Sequence, residues 1–128
     1  MFHYTIETNQ SVDEAVDSLT ETLKEAKFGV LWDFDAQATL EKNDFSYEPA
    51  FRILEVCSPA AAYEVLTQNQ LAGYFLPCKI IITEDQGKTV IGMPKPTELM
   101  NFTGDKEVMK IAEDIEATLI TSIERAAE

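Results

Sequence analysis

At 128 residues the chain is long enough for one domain, residues 1–128, that buries roughly 65–70% of its unfolded surface, so no disulfide staple is needed. With 45% apolar residues, 9% aromatics, five glycines and five prolines, it is neither disordered nor of low complexity. Its net charge of −13 comes from 23 acids against 10 singly scattered Lys and Arg, which excludes nucleic acid and anionic membrane surfaces as partners. There is no basic start followed by an apolar run and no long uncharged apolar window, so a cytoplasmic, soluble protein is expected.

Phe2, Tyr4 and Ile6 alternate with His3, Thr5 and Glu7, which predicts a first strand with one buried face. His3, the only histidine, lies on the other face and reads as a surface residue. Ser11-Val12-Asp13-Glu14 is a capping box that opens a helix. Its core stripe is Val12, Ala15, Val16, Leu19, Leu23 and Ala26, and Gly29 is the expected stop. Val30, Trp32 and Phe34 then alternate with Leu31, Asp33 and Asp35, followed by Ala38 and Leu40, which predicts a long or bent second strand. Asp33 and Asp35 share a face, but a hard cation needs more oxygen ligands than these two supply, so plain exposure is expected. Asn43 to Pro49 is a polar turn whose aromatics, Phe45 and Tyr47, are placed to fold over the sheet.

Phe51 to Cys57 is an apolar, β-branched strand in which Glu55 and Cys57 point the same way, with Leu54 and Val56 opposite. Ser58 at N-cap and Pro59 at the first helical position start a helix that ends near Asn69. Cys57 thus precedes a helix N-terminus, where partial positive charge lowers a thiol pKa while apolar burial raises it. Leu76, Cys78, Ile80 and Ile82 alternate onto one apolar face of the next strand, and Pro77 fits only near a strand's start or on an edge. If the two strands are antiparallel, Cys57 and Cys78 lie at the same end of the sheet. A parallel crossover would part them by about 17–20 Å. Glu84 to Lys88 turns a hairpin into Thr89–Met93, which Pro94-Lys95-Pro96 ends. The segment from Thr97 to Gly104, with Leu99, Met100 and Phe102, is an ordered loop or short helical turn placed to cover the thiol end. The last helix starts around Asp105, with a stripe through Val108, Ile111, Ala112, Ile115, Leu119, Ser122, Ile123 and Ala126.

These elements predict an α+β fold: a two-layer sandwich of a mostly antiparallel sheet with two long helices packed on one face. The other face is then free, which favours a homodimer or a ligand cleft. Three functional readings follow. One is a non-catalytic small-molecule or protein-binding module whose site involves Glu55, Cys57, Ser58 and Cys78, with helix amides available to an anion. Another is thiol-based redox or metal-dependent activity, with Cys57 the more reactive thiol and Cys78 its partner. A zinc site is weaker, because two more ligands are needed and only His3 and carboxylates remain. The third is assembly through the free face. Nucleophile–base triads, phosphate-binding glycine loops and cofactor fingerprints are absent, so no cofactor is assigned and a conventional hydrolase or nucleotide enzyme is not expected.

Ile53-Leu54-Glu55-Val56-Cys57-Ser58-Pro59, with Ala62 and Leu66 after it, and then Leu76-Pro77-Cys78-Lys79 resemble the two signature blocks of the bacterial family known as domain of unknown function 302. Phe28-Gly29-Val30-Leu31 and Asp35 to Leu40 are similar to its earlier blocks. Two positions depart from that pattern: Ser58 stands where the family usually has asparagine, and Glu41-Lys42-Asn43-Asp44 replaces a basic segment. The resemblance implies a TATA-binding-protein-like β-α-β4-α arrangement and self-association, and it implies no established activity.

Overall fold

The computed structural model describes residues 1–128. In chain order the elements are β1 (His3–Thr8), α1 (Val12–Glu25), β2 (Gly29–Asp35), α2 (Ala36–Lys42), β3 (Phe51–Cys57), α3 (Pro59–Gln68), β4 (Cys78–Asp85), β5 (Lys88–Pro94), α4 (Pro96–Met100) and α5 (Lys106–Ala127). Two 3₁₀ turns, Gln70–Phe75 and Asn101–Thr103, flank β4 and α5 respectively. The strands form one sheet in the order β1-β5-β4-β3-β2, with every neighbouring pair antiparallel. The α+β sandwich is as expected: α1 and α5 cover one face. Leu54, Val56, Ile80, Ile82, Ile91 and Met93 of the sheet pack there against Leu19, Leu23, Ile115, Leu119 and Ile123 of the two helices. No helix is long and apolar enough to cross a membrane.

Local chemistry starts the helices where the sequence places them. The Ser11 hydroxyl accepts from the Glu14 amide at 3.1 Å, while the Glu14 carboxylate accepts from the Ser11 amide at 2.9 Å, which closes the capping box. Asp105 caps α5 by accepting from the amides of Glu107 and Val108, at 2.9 and 3.2 Å. The hairpin between β4 and β5 turns on Gln86 and Gly87, both at positive φ, as the primed two-residue turns require.

The stop of α1 differs from expectation. Gly29 is the first residue of β2, and the left-handed residue that ends the helix is Lys27, with φ of 66°. The Phe28 amide donates to the Leu23 carbonyl at 2.8 Å and the Lys27 amide to the Lys24 carbonyl at 3.0 Å, which is a Schellman motif with a lysine where glycine is usual. A side chain there is strained, although Gly loses more entropy on folding. Lys27→Gly is therefore expected to raise the free energy of unfolding by up to about 1 kcal/mol, read as a higher urea midpoint at unchanged slope. A lower midpoint would show that the strain is compensated elsewhere.

The second strand is also shorter and less regular than the alternation predicts. It ends at Asp35, whose carboxylate accepts from the Ala38 amide at 2.9 Å and caps α2, so Ala38 and Leu40 are helical. A bulge at Leu31 interrupts the register: Val30 pairs with Val56, but Trp32 pairs with Glu55. The extra residue moves Trp32 and Phe34 off Val30's face onto the uncovered one. Their rings stack there at 5.1 Å. Asp33 stays on the helix side, where it takes a bidentate pair from Arg52, and Arg52 also reaches Asp13 of α1 at 2.6 Å. That network, led by the hydrogen bonds Arg52 donates to Asp33, raises the Arg52 pKa. Asp33 and Asp35 are thus occupied by an ion pair and a cap.

Across the uncovered face one row of residues is continuous by register: Phe34, Ile53, Ile81, Gly92 and Thr5. Beside it on β3, Tyr47 meets the Phe51 ring edge-on with centroids 6.3 Å apart, whereas Phe45 stays 65% exposed, so of the two aromatics expected over the sheet only Tyr47 packs there.

Candidate functional site

The antiparallel pairing of β3 and β4 brings Cys57 and Cys78 to the same end of the sheet, and both thiols are free. They are not equivalent. Cys78 lies directly opposite Val56 and shares its helix-covered face, whereas strand alternation directs Cys57, one residue on, to the other side. Cys78 is buried and Cys57 half-buried. Burial, with a smaller contribution from Cys57, pushes the Cys78 thiol up to about 11. Both cysteines, Ser58 and the apolar Phe28, Ala61 and Ile115 border a gap of about 10 Å³, room for one water at most. Ser58 is taken up as the cap of α3, its hydroxyl accepting from the Ala61 amide at 3.4 Å.

The larger opening at this end is a cleft of about 260 Å³ on the far side of Cys78. Its walls come from the 3₁₀ turn (Tyr74, Phe75), the entry to β4 (Leu76, Pro77), the end of β5 (Pro94) and α4 (Pro96, Leu99, Met100). The sequence accounts for these walls locally. Proline at 77, 94 and 96 keeps the chain from extending either strand, because each removes a ladder donor. Met100 is anchored below with Val65, Ala72, Val108 and Ala112 in a second small core. Tyr74 stands 84% exposed at the mouth. At the rim Glu55 and Lys79, directly opposed across β3 and β4, form an ion pair of 2.9 Å.

Of the four residues singled out from sequence, the structure gathers Glu55 and Cys78 at the cleft and leaves Cys57 and Ser58 on the small gap behind it. The segment after Thr97 does close over the thiol end, through Leu99 and Met100. Tyr74, Phe75, Lys79, Pro94 and Pro96 were not legible as site residues; the clustered prolines are the one local signal that the chain pauses here. No group of three or more His, Cys, Asp or Glu side chains gathers where it could hold a metal ion. The cleft offers apolar surface, one aromatic hydroxyl and a rim ion pair.

The fold and this end of the sheet have counterparts. A search of the curated proteins finds no match. The chain is similar to the crystal structure of an uncharacterized conserved protein DUF302 from Bacillus stearothermophilus, at 42% identity over 98% of each chain, with a TM-score of 0.96. Residues 4–126, which take in both cysteines, the cleft and all of the sheet but His3, match the family described as domain of unknown function DUF302. The chain belongs to that family.

Proposed function

We propose that this protein is a small-molecule-binding module whose ligand occupies the cleft beside Cys78. The observation that carries this reading is the pairing of an apolar interior with a single charged rim: aromatic, proline and Met100 walls inside, Glu55 and Lys79 at the edge. Ligand sites are commonly apolar concavities with a few placed polar groups, usually of about 300–1,000 Å³. At about 260 Å³ the cleft suits a small ligand with an apolar body and one polar end. Lys79 and Glu55 satisfy each other when the site is empty, so either can turn to a ligand of opposite charge.

Three probes of similar size test this: phenylacetate, 2-phenylethanol and phenethylamine. Methyl resonances of Leu76, Leu99 and Met100 should shift saturably with at least one of them, at about millimolar affinity. Lys79→Ala should then weaken the anionic probe selectively. Unsaturable shifts with all three would remove the cleft as a binding site.

A second reading, assembly as a homodimer, is favoured by the uncovered sheet face, on which Trp32 remains 51% exposed. A contiguous apolar face left in water marks an interaction surface.

A further inference from the structure

Resting on the assembly reading, the geometry points to a specific dimer: two copies packed sheet to sheet about a two-fold axis along β4, each placing its Phe34 edge over the other's Thr5 edge. The argument begins with the row Phe34, Ile53, Ile81, Gly92 and Thr5, which runs straight across the sheet by register. Side-chain size falls along it, from large at β2 to small at β5 and β1. The small end is a groove of about 410 Å³, deepened because Gly92 has no side chain; a Cβ there would lie 2.9 Å from the Thr5 methyl. The large end is a ridge, the stacked Trp32 and Phe34 rings.

A two-fold rotation about β4 exchanges the two ends of the row. It sets Phe34 over the partner's Thr5, Ile53 over the partner's Gly92, and Ile81 over the partner's Ile81. Large residues then meet small ones along the whole row, as an isologous interface demands. The operation also keeps each residue at its own height along the strands, so Trp32 arrives level with the partner's His3 beside the groove.

Charge selects the same occupant. The strands' uncovered face carries Glu7, Glu55 and Asp85 against Lys79 and Lys88, near neutrality in a chain of net charge −13. Remaining acids lie on helices, loops, the β2 edge and, as Glu84, the far end of β4 on the other face, so face-to-face packing turns the repelling charge outward. A basic partner would be drawn to those surfaces instead. Near the axis the two Lys79 approach, each already neutralised by its Glu55 at 2.9 Å. Five strands at about 4.8 Å and some six residues at about 3.3 Å give a footprint of about 500 Å² per copy. Two copies reach about 1,000 Å² before ring relief is counted, which is the floor for a specific interface.

Sedimentation equilibrium at about 50 μM tests this with two charge variants and their mixture. Wild type should sediment at twice 14.3 kDa. Phe34→Arg and Thr5→Glu should each weaken the dimer about 30-fold or more. Mixed in equal amounts they should recover it, because that pair keeps one wild-type Phe34–Thr5 contact and gains one Arg–Glu contact. Thr5 is exposed, so Thr5→Glu keeps the test open if Phe34→Arg does not fold. A monomeric wild type overturns the assembly reading and this dimer together. A wild-type dimer that survives both variants, or a mixture that stays monomeric, overturns this two-fold arrangement alone.

Discussion

Met100→Ala is expected to lower the free energy of unfolding by about 2–4 kcal/mol. Met100 is 1% exposed and closes the floor of the cleft against Val65, Ala72, Val108 and Ala112, a cluster separate from the main core. Removing its thioether leaves a void whose lining belongs to three different elements, α3, the 3₁₀ turn and α5, and cannot collapse by a single shift. Met100→Leu, nearly equal in volume, should cost less than about 1.5 kcal/mol. Urea unfolding of the two variants measures both. The alanine variant should also accept a bulkier probe than phenylacetate, since the void joins the cleft. A loss under about 1 kcal/mol would show that the cluster does not hold α4 in place.

The second large effect is a loss of stability at high pH. The Cys78 thiol ionises near its ordinary value of 9.0 when unfolded but only at about 11 when folded, because burial disfavours the thiolate. Between those values the unfolded chain binds fewer protons than the native one, so stability falls as pH rises. The contribution is fully present below pH 9 and about 2–3 kcal/mol of it is gone by pH 11. Cys78→Ala isolates it from tyrosine and lysine titration. The alanine variant should be less stable than wild type at pH 8, and the two curves should converge by pH 11. A gap that stays constant over that range would mean that Cys78 is solvated in the native state.

Local grammar made most of the architecture readable. The capping box at Ser11, the Ser58-Pro59 start of α3 and the stripe from Val108 to Ala126 each act within one element, so each could be read without knowing the rest. Ile111 alone in that last stripe is half-buried instead of buried. The misreadings occur where one residue changes phase. Leu31 adds a bulge that no alternation reveals, and it decides which face receives Trp32 and Phe34. Asp35 ends a strand by capping a helix of seven residues, too short for helical periodicity to outweigh the preceding alternation. Lys27 occupies a conformation normally left to glycine, which drew the expected stop to Gly29. The cleft was hidden for a different reason: its walls come from segments fifteen residues apart or more, and only the pairing of β3, β4 and β5 brings them together.

The strand order also bears on how the protein emerges during synthesis. β1 sits at a sheet edge, and its only strand partner is β5, with Thr8 facing Thr89 and His3 facing Pro94. At about 5–20 residues per second, a ribosome needs roughly 4–18 s to deliver that partner once β1 has been made. During that interval α1 can form on its own capping box, but Leu19 and Leu23 have no sheet to cover. β2, β3 and β4 pair with near neighbours in sequence, so their partners are delivered sooner after each is made than the partner of β1. β1 is thus the strand that waits longest for its pairing partner.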